Sequence, residues 1–183
     1  RMQMDYINKY CNPISIDKWL DIRDKRSKLP NYSVIVSFDD GFENNYNVAY
    51  PILKALKIPA VLYISSGIVS TSNMFWVDII EDCLNYCELE NFDLSLDRLT
   101  KFFTKTEEEK SKSLIYIKKW CKKAKNSDVV RLLKDLQEVT KVKPSCSHAL
   151  NYSKIKWNQL IEMSNDPLVT IGAHGYQHKI LSK

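Results

Sequence analysis

The sequence lacks the features that would place it in a membrane or in a disulfide-stabilised fold. It has no run of about 18 apolar residues, and its opening stretch, RMQMDYINKY, contains no hydrophobic signal region. Its five cysteines form no CxxC pair, and an odd number does not suit a closed set of disulfides. These absences predict no membrane span and favour a reducing, cytoplasmic compartment, unless a signal precedes Arg1.

A strong charge of one sign is missing as well. Lys and Arg number 27 against 22 Asp and Glu, which gives a net charge of +5. Residues 88–145 hold 14 basic and 10 acidic side chains and so carry most of that excess. Because the signs alternate along predicted helices, we interpret this segment as a solvated surface and predict no nucleic-acid partner. The oligomeric state stays open.

What is present suits one globular domain with a core. The chain has 183 residues, 44% of them hydrophobic, with no internal repeat and no low-complexity stretch. Ser15 is a predicted N-cap for a helix over residues 16–27. The apolar run VIVSF at 34–38 predicts a buried parallel strand, followed by a helix at 48–56 and a strand at 60–65. Strand, helix and strand in this order predict a right-handed βαβ unit.

From Trp76 onward the pattern is mostly helical. LDRLTKFF at 96–103 is among the segments interpreted as helix, and residues 88–145 are predicted to be a helical insertion in an α/β scaffold. The βα pattern then resumes with an amphipathic helix, KIKWNQLIEMSN, and a strand, LVTIG. Four residues of this helix are predicted to lie near one face: Trp157, Leu160, Ile161 and Met163.

Two adjacent carboxylates, Asp39 and Asp40, follow the first predicted strand and precede Gly41. Glycine permits a turn that brings neighbouring side chains toward one cavity. Because close carboxylates repel, one economical interpretation is that one binds a metal while the other stays free as a base. For the pair alone, the structural alternative is favoured, with Asp39 capping the loop and Asp40 solvated.

His174 and His178 shift this balance, because they follow a second predicted strand. The chain has only three histidines, and these two are spaced so that both imidazoles can reach one ion. The carboxyl ends of parallel strands open on one crevice, so one Asp and the two His could meet there. Such a site is a Lewis-acid centre for Zn, Co, Ni, Mn or Fe(II), and the residues alone leave the metal open.

These motifs resemble the first two motifs of the polysaccharide deacetylase family, also called the NodB-homology domain or carbohydrate esterase family 4. They are SFDDG and HGYQH, and the flanking PILKALKIPAVLYIS and WNQLIEMSNDPLVTIGAH resemble the family as well. The resemblance covers residues 31–80 and 150–183. It implies that residues 1–183 are the N-terminal portion of one such domain, with an α/β fold of the incomplete, distorted (β/α) barrel type and the insertion at 88–145.

The resemblance also implies roles for the motif residues. Asp39 would be the general base, and Asp40, His174 and His178 would bind a divalent metal, zinc before Co, Ni, Mn or Fe. The implied reaction is hydrolysis of N-acetyl groups, less often O-acetyl groups, on an amino-sugar-containing glycan.

Aromatic side chains beside the motifs are candidates for stacking on sugar rings. Phe42 and Tyr176 directly flank the two motifs, with Tyr46 and Trp76 as further candidates. Since Trp76 lies in an amphipathic run, core packing is its preferred interpretation.

The chain departs from the family pattern at two points. Gly175 stands where the family usually has Ser or Thr, which removes a hydroxyl that would help to fix the loop. The later motifs, with an Arg, an oxyanion-binding N–H and a catalytic-acid histidine, do not occur before Lys183. His148 lies in the predicted loop PSCSHAL and does not replace that acid. We therefore expect this chain to be inactive or impaired in isolation.

Three alternatives remain open. A non-catalytic carbohydrate-binding or scaffold domain would keep the fold without turnover. A phosphatase needs a DxD spacing, which SFDDG does not offer. A non-haem Fe(II) oxygenase shares the ligand set but usually has a double-sheet scaffold, which a helix-rich chain does not suggest.

Overall fold

The chain forms two compact units in a computed structural model that describes residues 1–178. The first unit comprises Arg1–Thr71 and Ser153–His178, and the second comprises Ser72–Tyr152. The predicted insertion at 88–145 falls within the second unit. Its place inside one domain of 1–183 stays a prediction, and residues 179–183 lie outside the described residues.

The helices and strands follow one another in a regular order. They are α1 (Met2–Tyr10), β1 (Asn12–Pro13), α2 (Ile16–Asp24), β2 (Ser33–Val34), β3 (Val36–Asp40), a π-helical turn (Asn45–Ala49), α3 (Tyr50–Leu56), β4 (Ala60–Ile64), a 3-10 turn (Ser66–Ile68), α4 (Trp76–Asn85), β5 (Asn91–Ser95), β6 (Leu99–Phe103), α5 (Glu107–Cys121), α6 (Asn126–Thr140), a 3-10 turn (Leu150–Tyr152), α7 (Trp157–Ser164) and β7 (Val169–Ala173).

A parallel three-stranded sheet in the order β3-β4-β7 organises the first unit. The register sets Asp40 opposite Ile64, and Ile64 opposite Ala173. The three strands therefore end level with one another at the same edge of the sheet. The fold class is α/β, and the predicted strands and the helix that connects the first two are confirmed.

The central strand of this sheet is buried, whereas the first strand is not. All of β4 except the half-buried Tyr63 is inaccessible to solvent, as expected for a continuous apolar run. In β3 only Val36 is buried, and Ser37 and Asp39 are exposed. The prediction of a fully buried first strand is therefore wrong, because β3 lies at the end of the strand order and alternates between a covered and an open face.

Local signals account for the helices beside the sheet. Ser15 Oγ accepts a hydrogen bond from Lys18 N at 3.1 Å, which confirms the predicted N-cap of α2. That helix ends at Asp24, three residues before the predicted end at 27. In α3, Pro51 lies in the first turn, where its missing N–H costs no helical hydrogen bond.

Helix α7 buries a different face from the predicted one. Leu160 and Met163 are buried, whereas Trp157 is 53% exposed and Ile161 is 61% exposed. At about 100° per residue, Leu160, Met163 and the buried Gln159 form one stripe. The other two side chains lie on the opposite side, so the prediction of one face for all four was wrong.

The second unit packs α4, α5 and α6 with an antiparallel hairpin of β5 and β6. Its core includes the hairpin side chains Phe92, Leu94 and Phe102. The helical interpretation of 96–103 is wrong, because Leu99–Phe103 is strand β6, paired with Asn91–Ser95. Alternate burial along β5 and the Phe92–Phe102 cross-strand contact outweigh the local helical spacing.

No helix within residues 1–178 combines the length and the hydropathy that crossing a membrane requires.

Candidate metal centre

The candidate site lies at the edge of the sheet where β3 and β7 end. Asp40 is the last residue of β3, and His174 directly follows β7. The backbone N–H of His174 donates to the carbonyl of Ile64 at 2.9 Å, so the ladder continues one residue past the strand. Residues 134 positions apart in the chain are thus placed beside the same strand end.

A left-handed turn ends β3 and directs the chain away from the sheet. Asp40 has a φ of 73° and Gly41 a φ of 89°. A Cβ on Gly41 would lie 3.3 Å from Ile64 Cδ1, so this position requires glycine for both its backbone conformation and its surroundings. Ser65 N donates to the Asp40 carbonyl at 3.2 Å, and Ile155 N donates to the Gly41 carbonyl at 3.0 Å. The turn is therefore held by two neighbouring segments.

The histidine loop is held through its backbone. Ser66 N donates to the Gly175 carbonyl at 3.1 Å, and Gly67 N donates to the Tyr176 carbonyl at 2.8 Å. Gly175 has a φ of 81°, which glycine adopts without strain and Ser or Thr does not. The hydroxyl that the family usually places here is therefore replaced by a backbone conformation that needs glycine. His178 also adopts a positive φ, of 53°.

The turn that leads into β7 is fixed by Asp166. Its carboxylate accepts hydrogen bonds from Leu168 N at 2.9 Å and from the Tyr50 hydroxyl at 2.9 Å. The backbone N–H of Leu168 is the main reason that the pKa of Asp166 lies below its usual value, since hydrogen bonds favour the charged form. This carboxylate ties the start of β7 to α3, and β7 in turn carries His174.

Three predicted ligands converge at the sheet edge. Asp40 Oδ1 lies 3.3 Å from His174 Nε2 and 3.2 Å from His178 Nε2. One ligand atom from each residue lies within 4.8 Å of the other two, and all three side chains are half-buried. The structure thus brings together the side chains that sequence reasoning selected from distant parts of the chain.

This group fits a small divalent cation. Two ligands about 2.0 to 2.2 Å from a tetrahedral zinc ion lie roughly 3.3 Å apart, close to the separations of Asp40 from each histidine. Asp40 Oδ1 is buried and makes no hydrogen bond to any residue in 1–178, so its lone pairs face the two imidazoles. Carboxylate and imidazole donors suit zinc and the other divalent metals named above.

Asp39 lies next to the ligand group without belonging to it. It is exposed, and its register position is opposite Tyr63 on β4. The convergent group consists of Asp40, His174 and His178. The predicted division between a metal-binding and a free carboxylate agrees with this arrangement, and the role of Asp39 as base stays a prediction.

The predicted sugar-stacking aromatics differ in their surroundings. Tyr176 is 67% exposed and flanks both histidines. Phe42 is half-buried, and Lys154 Nζ lies 4.0 Å from the centre of its ring. Lys154 is itself 5% exposed, so a buried cation covers one face of Phe42. In the second unit, Trp76 packs against the core cluster, as its preferred interpretation predicted.

Sequence reasoning missed the residues that hold the site in place. They are the segment after β4, which binds the histidine loop, together with Lys154 and Asp166. The SSG that follows AVLYI was a usable signal, because a Cβ on Gly67 would lie 2.5 Å from the Tyr176 carbonyl oxygen. Only glycine allows the two loops to approach so closely.

A family model described as polysaccharide deacetylase matches residues 26–148, which is more than half of the chain. The protein therefore belongs to the polysaccharide deacetylase family. The matched range contains Asp39 and Asp40 and most of the second unit, and it ends before His174 and His178. It therefore includes the middle of the chain, which the sequence resemblance covered only weakly.

Among individual proteins, the chain is similar to poly-beta-1,6-N-acetyl-D-glucosamine N-deacetylases of Staphylococcus aureus. For strains MSSA476 and MRSA252, identity is 46% over 56 residues, which are 31% of this chain and 19% of each relative. The matched part of this chain thus spans about a fifth of the length of these relatives.

Two solved structures share features of the fold. The deacetylase domain of BpsB from Bordetella bronchiseptica has 18% identity and a TM-score of 0.45, with 94% of this chain and 41% of that one covered. A de-N-acetylase from Aggregatibacter actinomycetemcomitans has 21% identity and a TM-score of 0.44 over the same shares.

Proposed function

We propose that this domain takes part in the metal-dependent removal of N-acetyl groups, or less often O-acetyl groups, from an amino-sugar-containing glycan. The observation that carries the proposal is the convergence of Asp40 Oδ1 with the Nε2 atoms of His174 and His178 at 3.2 to 3.3 Å. It occurs in a chain of the polysaccharide deacetylase family. The name of the staphylococcal relatives supports N-acetylglucosamine polymers as the substrate class.

Zinc is the metal that we propose first, held by Asp40, His174 and His178. The bound ion would lower the pKa of a water molecule and polarise the acetyl carbonyl. The three ligands differ in their supports: Asp40 is positioned by the turn at Gly41, and the histidines by the loop bound to residues 66–67. These backbone contacts keep the donor atoms close together before an ion binds, which reduces the ordering that binding requires.

Asp39 is the proposed general base. Its carboxylate is exposed beside the ligand group and is not one of the converging donors, so it can accept a proton. As the water oxygen forms a bond to the acetyl carbon, the water proton passes to Asp39. The carbon–nitrogen bond then breaks, and the products are acetate and a sugar amine. The departing amine needs a proton from an acid other than the three ligands, whose donor atoms are engaged.

The first test separates metal binding from proton transfer. In this chain, Asp40→Asn and His174→Ala should each weaken zinc affinity by at least about a hundredfold, because loss of a direct ligand exceeds the effect of losing its supporting hydrogen bond. Asp39→Asn is the matched control, since the neighbouring residue changes in the same way, and it should keep zinc affinity within about threefold. Affinity is measured by competition with a chromogenic chelator.

The second measurement is amine release from N-acetylglucosamine oligomers, made with the full-length gene product. There, Asp39→Asn should abolish release while zinc stays bound. Zinc binding that survives Asp40→Asn would refute the ligand assignment, and amine release that survives Asp39→Asn would remove Asp39 as the base. Zinc binding and saccharide binding without any amine release would favour the non-catalytic carbohydrate-binding alternative.

A further inference from the structure

An aspartate and a histidine of the second unit form a second polar site. Asp82 on α4 has a fully buried side chain, and its Oδ2 lies 2.7 Å from His148 Nδ1. The same oxygen accepts a hydrogen bond from Ser145 N at 3.1 Å. Since the carboxylate accepts, His148 carries a proton on Nδ1, and in the neutral ring Nε2 is then an acceptor. Nε2 makes no hydrogen bond to any residue in 1–178.

The imidazole is held from several directions. The Tyr86 hydroxyl donates to the His148 carbonyl at 3.1 Å, and the two rings lie 4.6 Å apart. Ser147 N donates to Ser145 Oγ at 3.2 Å and so stabilises the loop that carries the histidine. A side chain fixed in this way loses little conformational freedom when a ligand binds. The His148 side chain is nevertheless 33% exposed, so its free nitrogen is accessible.

This imidazole lines a cavity of about 430 Å³, a volume in the range of roughly 300 to 1,000 Å³ that is typical of small-ligand pockets. The end of α4, the segment after it, the end of α6 and the loop at 148 form its wall. Its principal lining residues are Tyr86, Glu88, Leu89, Lys141, Val142 and His148.

The wall chemistry suits a neutral polar ligand with an apolar face. Glu88 and Lys141 are exposed, and neither forms an ion pair within residues 1–178, so one acceptor and one donor of opposite charge are available. Tyr86, which is 50% exposed, offers an aromatic surface beside Leu89. A sugar ring combines C–H faces with hydroxyl donors and acceptors, which matches this set.

A neighbouring cavity of the same unit provides a contrast. It measures about 300 Å³ and is lined by Lys119, Lys123, Tyr116, Trp120 and Asp97. Trp120 Nε1 donates to Asp97 Oδ1 at 3.0 Å, so that carboxylate is engaged, whereas the two lysines are free of ion pairs within the described chain. Its excess positive charge suits an anion, not an uncharged glycan.

We infer that the His148 pocket is a second glycan-binding site, which holds one N-acetylated sugar residue through a hydrogen bond from the ligand to His148 Nε2. The choice of ligand rests on the proposed function, while the site itself rests on the Asp82–His148 geometry and the cavity. A polymer bound at this pocket and at a catalytic site would be retained more strongly than by either alone.

The test uses the whole chain and a β-1,6-linked N-acetylglucosamine pentamer. The chain has three histidines, so long-range ¹H–¹⁵N spectra can resolve each ring. We expect an Nδ1-protonated His148 in the free protein and a saturable shift of its Nε2 resonance as the pentamer is added. Glu88→Ala and Lys141→Ala change exposed residues and should preserve the fold. Each should weaken the pentamer affinity read from the His148 signal by about five- to tenfold.

Lys123→Ala, in the neighbouring cavity, is the matched control and should leave that affinity unchanged. His174→Ala separates this proposal from the proposed function, because it should remove zinc binding while the His148 signal still responds. A His148 Nε2 signal that is unchanged at saturating pentamer would overturn the proposal. An affinity read from the His148 signal that is the same in the Glu88, Lys141 and Lys123 variants would overturn it too. Amine release by the full-length protein decides the proposed function independently.

Discussion

Two histidine–aspartate arrangements occur in this protein, and they differ in which ring nitrogen meets the carboxylate. At the sheet edge, two Nε2 atoms face Asp40 Oδ1, an oxygen with no hydrogen-bond donor in residues 1–178. In the second unit, His148 Nδ1 and Ser145 N both bind Asp82 Oδ2. The first arrangement leaves lone pairs aimed at a common point, as a cation requires. The second satisfies one oxygen and orients one ring.

Burial separates the two arrangements as well. The Asp40 side chain is 22% exposed and the histidines around it are 38% and 30% exposed, whereas the Asp82 side chain is fully buried. Charge pairs that are open to solvent contribute little to folding, but a buried carboxylate without its partner is costly. The same residue types therefore serve ligand binding at one place and structural orientation at the other.

The largest expected difference is in folding stability. Asp82→Ala should lower the free energy of unfolding by about 2 to 4 kcal/mol, because Ser145 N and His148 Nδ1 lose their common acceptor inside the second unit. Asp40→Asn should change it by less than about 1 kcal/mol in the metal-free protein. Urea unfolding of both variants gives the comparison. Equal losses would show that the two carboxylates do not differ in the way described.

A pair of glycine substitutions sharpens the description of the sheet-edge site. Gly41 and Gly175 have similar positive φ values, but a Cβ on Gly41 would lie 3.3 Å from Ile64, whereas a Cβ on Gly175 would meet nothing within 4 Å. Gly175→Ala should therefore cost about 1 kcal/mol from backbone strain alone, and Gly41→Ala about 2 kcal/mol. Urea unfolding tests this order, and the reverse order would contradict the crowding at Gly41.

The smallest effect concerns Cys83, which follows Asp82 and is also fully buried. Burial raises the pKa of its thiol from 9.0 to about 12. Below pH 9 the thiol is protonated in both the folded and the unfolded chain, so its contribution to stability is complete. Between pH 9 and about 12 only the unfolded chain ionises, and stability should fall.

Unfolding measured from pH 8 to 10 should thus show a steeper decline for the native protein than for Cys83→Ala. Iodoacetamide offers a second measurement, because the half-buried Cys146 should react in the folded protein and Cys83 should not. Equal pH slopes for the two proteins, or rapid alkylation of Cys83, would contradict the closed environment around α4.

Much of the candidate site could be predicted because its signals are local. An apolar run that ends in SFDDG and another that ends in AHGYQH indicate strands with chemistry at their carboxyl ends, and parallel pairing then brings Asp40 near His174 and His178. The βα order and the N-cap at Ser15 were legible for the same reason. The assignment of Asp39 as the base came from the family resemblance and stays a prediction, as does the cytoplasmic compartment.

The errors fall where distant contacts decide. Residues 99–103 have a helical spacing, yet they form a strand because Phe102 packs across the hairpin on Phe92. On α7 the sequence offers apolar residues around much of the helix, and only packing in the first unit selects Leu160 and Met163 over Trp157 and Ile161. His148 was interpreted as a surface loop residue, because nothing near it in the sequence points to Asp82.

By itself, the sequence determined the α/β class, the strand ends that carry the carboxylates and histidines, and the glycines that allow tight turns at those ends. These follow from periodicity and backbone sterics, which act over a few residues. Tertiary structure alone decided the level register of β3, β4 and β7, the support of the histidine loop by residues 66–67, and the pairing of His148 with Asp82. Those features depend on contacts between segments from about 60 to more than 130 residues apart, whose geometry is fixed only when the cores pack.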